Sequence, residues 1–394
     1  MEGLCKRFTV GWLALSCAGL CAIAAFNILV DPSGAYLGAH LKAFEPYRYL
    51  NHDRPHKAEL ARRGDWEVII LGSSRPKAGF PAAYPYFQTN RTCNLSVDGA
   101  RFVELSRAFD FTRARNPVRQ ILLGVDVFMF SGDSRWMENF AESRFNPDFD
   151  RFTYFCKQLL GRASTDESCA ALLRAVKGER PPPQSQLGFF EHEIPPGTSQ
   201  RALFDRVLRF MGNAYQAQKV DPAQLELFRE FVRTCRDQNI DLQIAIMPVH
   251  ALDLELLFEG GRWDEFESWK AGVVTVLADE GVEGKFRLWD FSGYRGPTTE
   301  TIPAPGDTTS RMKYYFENSH CTPALGKYIL DAMLSGTTNP PSVDGQPFGM
   351  VLTRSNLAPH LRDIRADREV YLREHPVERD WMRTVVAAPP QKSL

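Results

Sequence analysis

Apolar residues run unbroken in only a few places along the chain, and the lengths of those runs set the first expectations. The longest extends from Phe8 to Val30 without a charged residue. At about 1.5 Å rise per residue, a helix of that length exceeds the roughly 30 Å hydrocarbon thickness of a bilayer. Lys6 and Arg7 precede the run and Asp31 follows it. The positive-inside rule then leaves the N-terminus in the cytoplasm and sends residues 31–394 outside. The rival reading is a secretory signal, because Ala22-Ile23-Ala24 offers a small-x-small cleavage site. The run is longer than the usual signal core of about 7–15 residues, which favours an uncleaved anchor. Both readings place the body outside the cytoplasm.

Beyond the anchor the runs are shorter. Glu67–Gly72, Gln120–Val125 and Leu242–Met247 are continuous apolar stretches of strand length, as expected for strands covered on both faces. Phe286–Asp290 is a weaker fourth. Between them the apolar period lengthens to that of a helix: Leu225, Phe228, Phe231, Val232 and Cys235 follow Pro222, and Phe266, Trp269, Val273, Val276 and Leu277 precede the fourth strand. Strand alternating with helix predicts an α/β fold, a doubly wound, flavodoxin-like parallel sheet. Residues 131–220 break the rhythm with Pro181-Pro182-Pro183 and Pro195-Pro196-Gly197, and read as an inserted helical and loop lid. The expected division is an anchor at 1–30, an α/β domain at 31–335 carrying that insertion, and a C-terminal extension at 336–394. The extension should hold a polar, solvated, Arg-rich helix near 355–374 and a frayed tail from Ala387.

Composition narrows the class. Of 394 residues, 44% are apolar and 24% charged, which is ordinary globular usage. Forty-seven basic residues against 48 acidic ones remove the electrostatic case for nucleic acid. A single run long enough to cross a bilayer excludes a polytopic transporter. Five cysteines lie beyond the anchor: Cys93, Cys156, Cys169, Cys235 and Cys321. Cys156 and Cys169 are near enough in sequence to close a local disulfide in an oxidising compartment. No CxxC or Cys/His pair has metal-ligand spacing and no GxGxxG is present, so neither a metal nor a nucleotide cofactor is expected.

The candidate chemistry sits at the ends of strands, where ligands bind in doubly wound sheets. The first strand ends Leu71-Gly72-Ser73-Ser74-Arg75. A serine on that turn faces the cleft, either as a nucleophile or as the cap of the following helix. Serine needs a base, and Glu317-Asn318-Ser319-His320 supplies one late in the chain, just before Thr322 and Pro323 open a helix. Glu317, three residues before His320, is placed to fix the ring tautomer. If the chemistry is serine-based, Ser74 and a ring nitrogen of His320 should approach about 2.6–3.2 Å. His250, after Met247-Pro248-Val249, is a second histidine at a strand end and a candidate substrate contact. Asn51-His52-Asp53-Arg54 is expected to serve structural hydrogen bonding.

The Gly72-Ser73-Ser74 turn, a later Gly99 and the acid-x-x-His element resemble the SGNH (GDSL-type) hydrolases over roughly residues 31–335. The closest likeness is to membrane-anchored, SGNH-like proteins of bacterial envelope polysaccharide O-acylation, and Phe348–Thr353 with the helix after it is similar to the tail of such proteins. The resemblance implies Ser74 as nucleophile, His320 as base, Glu317 as the orienting acid and Gly99 as a backbone donor to the oxyanion hole. Ser73 stands where the best-known members carry Asp, and Glu317 replaces their usual Asp. The family's oxyanion-hole Asn has no match, because the third strand ends Gly124-Val125-Asp126. A carboxylate there repels an oxyanion, so Arg75 or a backbone N–H must substitute if the protein is active. The implied function is an exported O-acyl (acetyl) transferase or esterase on an envelope polysaccharide, held in the bacterial inner membrane or secreted, without a cofactor. A multi-spanning membrane O-acyltransferase is the implied protein partner. The alternative is a non-catalytic module that binds glycan or that acyltransferase.

Overall fold

The computed structural model describes residues 2–36, 39–48, 54–132, 139–181, 187–190, 192–217 and 219–387. It forms two compact units, Met1–Gly64 with Glu138–Gly188, and Asp65–Met137 with Phe189–Leu394. Helices α1 (Glu2–Val30), α2 (Arg54–Arg63), α6 (Arg151–Leu160) and α7 (Arg162–Lys177) build the first unit. The second holds α3 (Ser74–Gly79), α4 (Pro85–Thr89), α5 (Phe102–Arg113), α8 (Gln200–Ala217), α9 (Pro222–Asp237), α10 (Ala251–Glu259), α11 (Trp263–Asp279), α12 (Pro323–Leu334), α13 (Leu357–Glu374) and α14 (Pro376–Ala387).

In the first unit, α1 is one uninterrupted helix whose stretch Cys5–Val30 is long and apolar enough to cross a membrane, and little of it is covered by protein. Its last turn carries one buried polar residue. Asn27 donates to the Leu159 carbonyl at 2.9 Å and to Thr165 Oγ1 at 3.0 Å, which fastens α1 to the junction of α6 and α7. Asp31, fully buried, is ringed by Arg48, Arg63 and His40. Burial outweighs those cations and leaves its pKa raised. Glu59 on α2 likewise accepts from Arg62 at 2.7 Å and Arg144 at 2.6 Å.

The second unit is built on a six-stranded sheet in the order β2-β1-β3-β4-β5-β8. Its strands are β1 (Val68–Leu71), β2 (Thr92–Asn94), β3 (Gln120–Val125), β4 (Asp241–Ile246), β5 (Leu288–Asp290) and β8 (Met350–Leu352); β6 (Ser342–Val343) and β7 (Gln346–Pro347) form a separate small hairpin. The first five strands are parallel and β8 closes the edge antiparallel to β5. Every residue of β1 and β3 is buried, as continuous apolar runs require. Phe102, Phe130, Phe228 and Trp269 from α5, α9, α11 and the turn after β3 form one aromatic cluster with ring centroids 5.1–6.0 Å apart. With strand order 2-1-3-4-5, the chain turns in opposite directions on leaving β1 and β3, and the crevice opens at their carboxyl ends. Ser74 follows β1 at that crevice.

Glycines allow the crevice to be narrow. A Cβ on Gly72 would lie 2.3 Å from Pro76 Cγ and 2.8 Å from the Gly124 carbonyl oxygen. A Cβ on Gly326 would fall 1.8 Å from the Gly79 carbonyl oxygen. Helices α3 and α12, which carry the serine and follow the histidine, therefore meet backbone to backbone.

The units cut the chain differently from the expected segments. Residues 31–64 belong with α1, and the expected lid at 131–220 is divided, its middle joining α1 while α8 joins the sheet. Residues 336–394 form no separate extension, because β8 completes the sheet edge. The expected solvated face of α13 is partly buried: Arg368 pairs with Glu255 at 2.7 and 2.9 Å, and His360 reaches Asp290 at 2.9 Å. Cys156 and Cys169 are free and exposed rather than bonded. Asn51, His52, Asp53, Pro182, Pro183 and the tail from 388 lie outside the described residues; Arg54 opens α2 and is buried.

Candidate active site

Two serines end β1, and they divide the work. Ser73 is the N-cap of α3: its Oγ accepts from the Arg75 N–H at 3.2 Å and donates to Asp126 Oδ2. Capping therefore falls to Ser73, and the Ser74 hydroxyl is left for the crevice. Ser74 Oγ lies 2.7 Å from His320 Nε2, across 246 positions of sequence. His320 Nδ1 bonds Glu317 Oε1, and Glu317 Oε2 accepts from the Ser319 N–H at 2.8 Å. Glu317 is buried while the Ser74 and His320 side chains remain partly open. A buried acid, an oriented imidazole and a reachable hydroxyl stand in line.

The loop carrying His320 is held from several sides. The Phe316 N–H donates to the His320 carbonyl at 3.0 Å and the Thr322 N–H to the Tyr314 carbonyl at 2.8 Å. Buried Gln200, at the start of α8, donates to the Tyr315 carbonyl at 2.6 Å and accepts from the Met312 N–H at 2.9 Å. Pro323 occupies the first turn of α12, but Thr322 donates its hydroxyl to the Lys313 carbonyl at 2.6 Å instead of capping the helix.

Charge sets the proton inventory. Burial pulls the His320 pKa down, but the adjacent Glu317 carboxylate outweighs it and leaves the pKa raised above the ordinary 6.5. Burial pushes Glu317 up, and His320 more than compensates, leaving it lowered. A base must be neutral to accept the serine proton. The acid limb of a kcat/KM–pH profile is therefore expected above the usual imidazole range. Glu317→Gln removes the charge that raises His320, so the limb should move to lower pH while the plateau falls. A limb that stays in place would show that Glu317 does not govern His320.

Arg75 and Asp126 stand otherwise than the sequence suggested. Arg75 is buried; it pairs with Asp126, donates to Tyr215 and Asp253 at 3.2 Å each, and reaches Ser319 Oγ at 3.2–3.3 Å. Burial opposes its charge, yet Asp126, Tyr215 and Asp253 together hold its pKa above the ordinary value. With its donors committed, Arg75 is no oxyanion donor. Asp126 is equally occupied, by Arg75 on one oxygen and Ser73 on the other. Its charge is neutralised beneath the serine turn rather than aimed at a substrate.

His250 is no substrate contact either. It caps α10, with Nδ1 accepting from the Leu252 N–H at 3.3 Å and Nε2–H donating to the Glu300 carbonyl at 2.9 Å. Burial pushes its pKa down to about 4, so it stays neutral. Its own N–H donates to the Asn318 carbonyl at 2.9 Å, two residues before His320. Gly99 stands in a turn at φ +59°. The Val97 N–H donates to the Gly72 carbonyl at 3.1 Å, drawing that loop against the serine turn. Asp98 beside it accepts from Lys77 at 2.9 Å.

Several neighbours carry no sequence signal. Asp253 accepts from Tyr215 and Asn318 at 2.7 Å each, and burial raises its pKa to about 6 against the pull of Arg75. His192 lies 4.5 Å, ring to ring, from Phe316. Desolvation and then the charge of His320 lower its pKa, which marks it as a neighbour of the same mouth. Lys77 lies 5.0 Å over the Phe190 ring. Among the described residues no three His, Cys, Asp or Glu side chains gather as a metal site. No family model matches the chain, and no curated protein sequence matches it.

Proposed function

We propose that the chain is a serine-dependent acyltransferase or esterase of the SGNH type. The observation that carries this reading is the continuous Ser74–His320–Glu317 relay, 2.7 Å at its serine end. Ser74 Oγ attacks the acyl carbonyl while His320 Nε2 takes its proton. The tetrahedral intermediate collapses, His320 returns that proton to the leaving oxygen, and the acyl group stays on Ser74. An acceptor hydroxyl then yields its proton to His320, attacks the acyl-enzyme and releases Ser74. A sugar hydroxyl gives transfer and water gives hydrolysis. The Gly99 N–H and the Ser74 N–H are the donors for the oxyanion.

The non-catalytic alternative drew its weight from Asp126 at the oxyanion position. Pairing with Arg75 removes that repulsion and with it the main argument against activity. The resemblance to envelope O-acylation proteins extends the reading to an acetyl donor, a polysaccharide acceptor and a multi-spanning acyltransferase partner. Lys6 and Arg7, in α1 just before its uncharged run, support an inner-membrane anchor with the body outside; a C-terminal reporter that becomes active in the cytoplasm would reverse that orientation. An activated acetyl ester should add one acetyl group to the wild type, mapped by mass spectrometry to the peptide containing Ser74. Absence of the adduct under rapid quench, with the protein folded, would leave the binding-module reading in its place.

A further inference from the structure

Among the described residues, the first unit carries two apolar stripes that stay largely exposed. On α6, Phe152, Phe155, Cys156 and Leu160 are exposed, at the spacing of one helix face. On α7, Cys169, Leu172, Leu173 and Val176 repeat that spacing and that exposure. These are not marginal cases: Phe152 is 76% exposed and Val176 78%. On α7 the inward face is small, with Ser164, Ser168 and Ala171 buried, whereas α6 buries Tyr154. On α7, then, small residues lie inside while the large apolar ones lie outside, the reverse of what water favours. Both helices pack against α1.

The place of that packing identifies the occupant. Asn27, three residues before the end of α1, holds the α6–α7 junction through Leu159 and Thr165. At about 1.5 Å per residue, the junction is within roughly 5 Å of the level where α1 ends and Asp31 begins. Tyr36 and Phe155, with ring centroids 5.6 Å apart, continue the contact just beyond. An aromatic and aliphatic stripe at the end of a spanning helix lies at the depth where amphipathic helices enter the headgroup–acyl boundary.

We infer that α6 and α7 form a membrane-embedded foot, their apolar stripes immersed in the outer boundary of the bilayer that α1 crosses. The inference rests on α1 being the anchor and gives the middle of the expected lid a different task. The occupant is lipid, because the stripes lie on the two helices that pack against α1 and are joined to its apolar span at Asn27.

Single-cysteine versions of the full chain separate the cases. Native Cys156, Cys169 and Cys17 serve as probes one at a time, with Leu173→Cys added on the stripe and Glu167→Cys on the polar side of α7. Each is spin-labelled and reconstituted into vesicles of phosphatidylcholine and phosphatidylglycerol. Collision with dissolved oxygen is compared with collision with a water-soluble nickel chelate. The stripe labels should favour oxygen several-fold over the Glu167→Cys label, approaching the Cys17 label in α1. If Cys17 is in lipid but the stripe is as open to nickel as Glu167→Cys, the foot is wrong while the anchor stands. If the stripe is shielded from both reagents, protein covers it, a second copy in these vesicles, and the lipid assignment fails. If Cys17 itself meets nickel freely, anchor and foot fall together.

Discussion

Ser74→Ala is expected to lower kcat/KM toward an activated ester by a factor on the order of 10⁶ while leaving the melting transition near that of the wild type. The hydroxyl is partly open and its partner is His320; Ser73, not Ser74, caps α3. Removing the Ser74 hydroxyl therefore removes chemistry without removing a cap or core volume. His320→Ala should cost about as much, and the double variant little more than either, because a nucleophile without its base and a base without its nucleophile fail for the same step. Glu317→Gln should cost less, about 10⁴-fold, since the ring remains while its preferred tautomer is lost. The comparison that matters is between Ser74→Ala and Ser73→Ala. Ser73→Ala should keep the acyl-enzyme but lose about 1 kcal/mol of stability with its cap. If Ser74→Ala still turns over and Ser73→Ala does not, the two serines have been assigned the wrong way round.

Much of the sheet was legible because its physics is local. Strands β1, β3 and β4 are covered on both faces, so each reads as an unbroken apolar run. Strand β2 is only Thr-Cys-Asn, and β8 is a three-residue edge strand whose Met350 is exposed. Neither has a run to read. The Ser74–His320 pair was legible for another reason: serine after a strand-end glycine, and acid-x-x-His before a Pro-led helix, are short patterns with chemical meaning. Arg75, Tyr215, Asp253 and Asn318 come from four separate segments, and no spacing within any of them announces the network. Arg75 consequently looked like an oxyanion donor, and Asp126 like an obstacle. The division into units was hidden in the same way. That residues 138–188 return to α1 and α2 shows in contacts such as Asn27 with Leu159, across 132 positions, and Arg144 with Glu59, which no local pattern encodes.

Arg75→Met should be the most destabilising single change near the site. The methionine fills the stem's space but leaves the Asp126 and Asp253 carboxylates buried without their cation. Breaking a buried pair in this way costs about 3–5 kcal/mol, whereas the intact pair is worth far less than that against apolar replacements. Thermal melting followed by near-ultraviolet circular dichroism should show the loss. Asp126→Asn combined with Arg75→Met should recover part of it, because one stranded charge is then gone. The pH dependence gives an independent check. Burial raises the folded-state pKa of Asp253 to about 6, above its ordinary 3.8, with Arg75 opposing the rise. An acid with a raised folded pKa costs stability above that pKa, and the cost fades as pH falls through it. Without Arg75 the pKa should climb further, so the deficit of Arg75→Met relative to wild type should be largest above the variant's raised pKa and narrow as pH falls from there to about 6. A deficit that stays constant across that window would mean lost packing of the arginine stem, not stranded carboxylates, accounts for the damage.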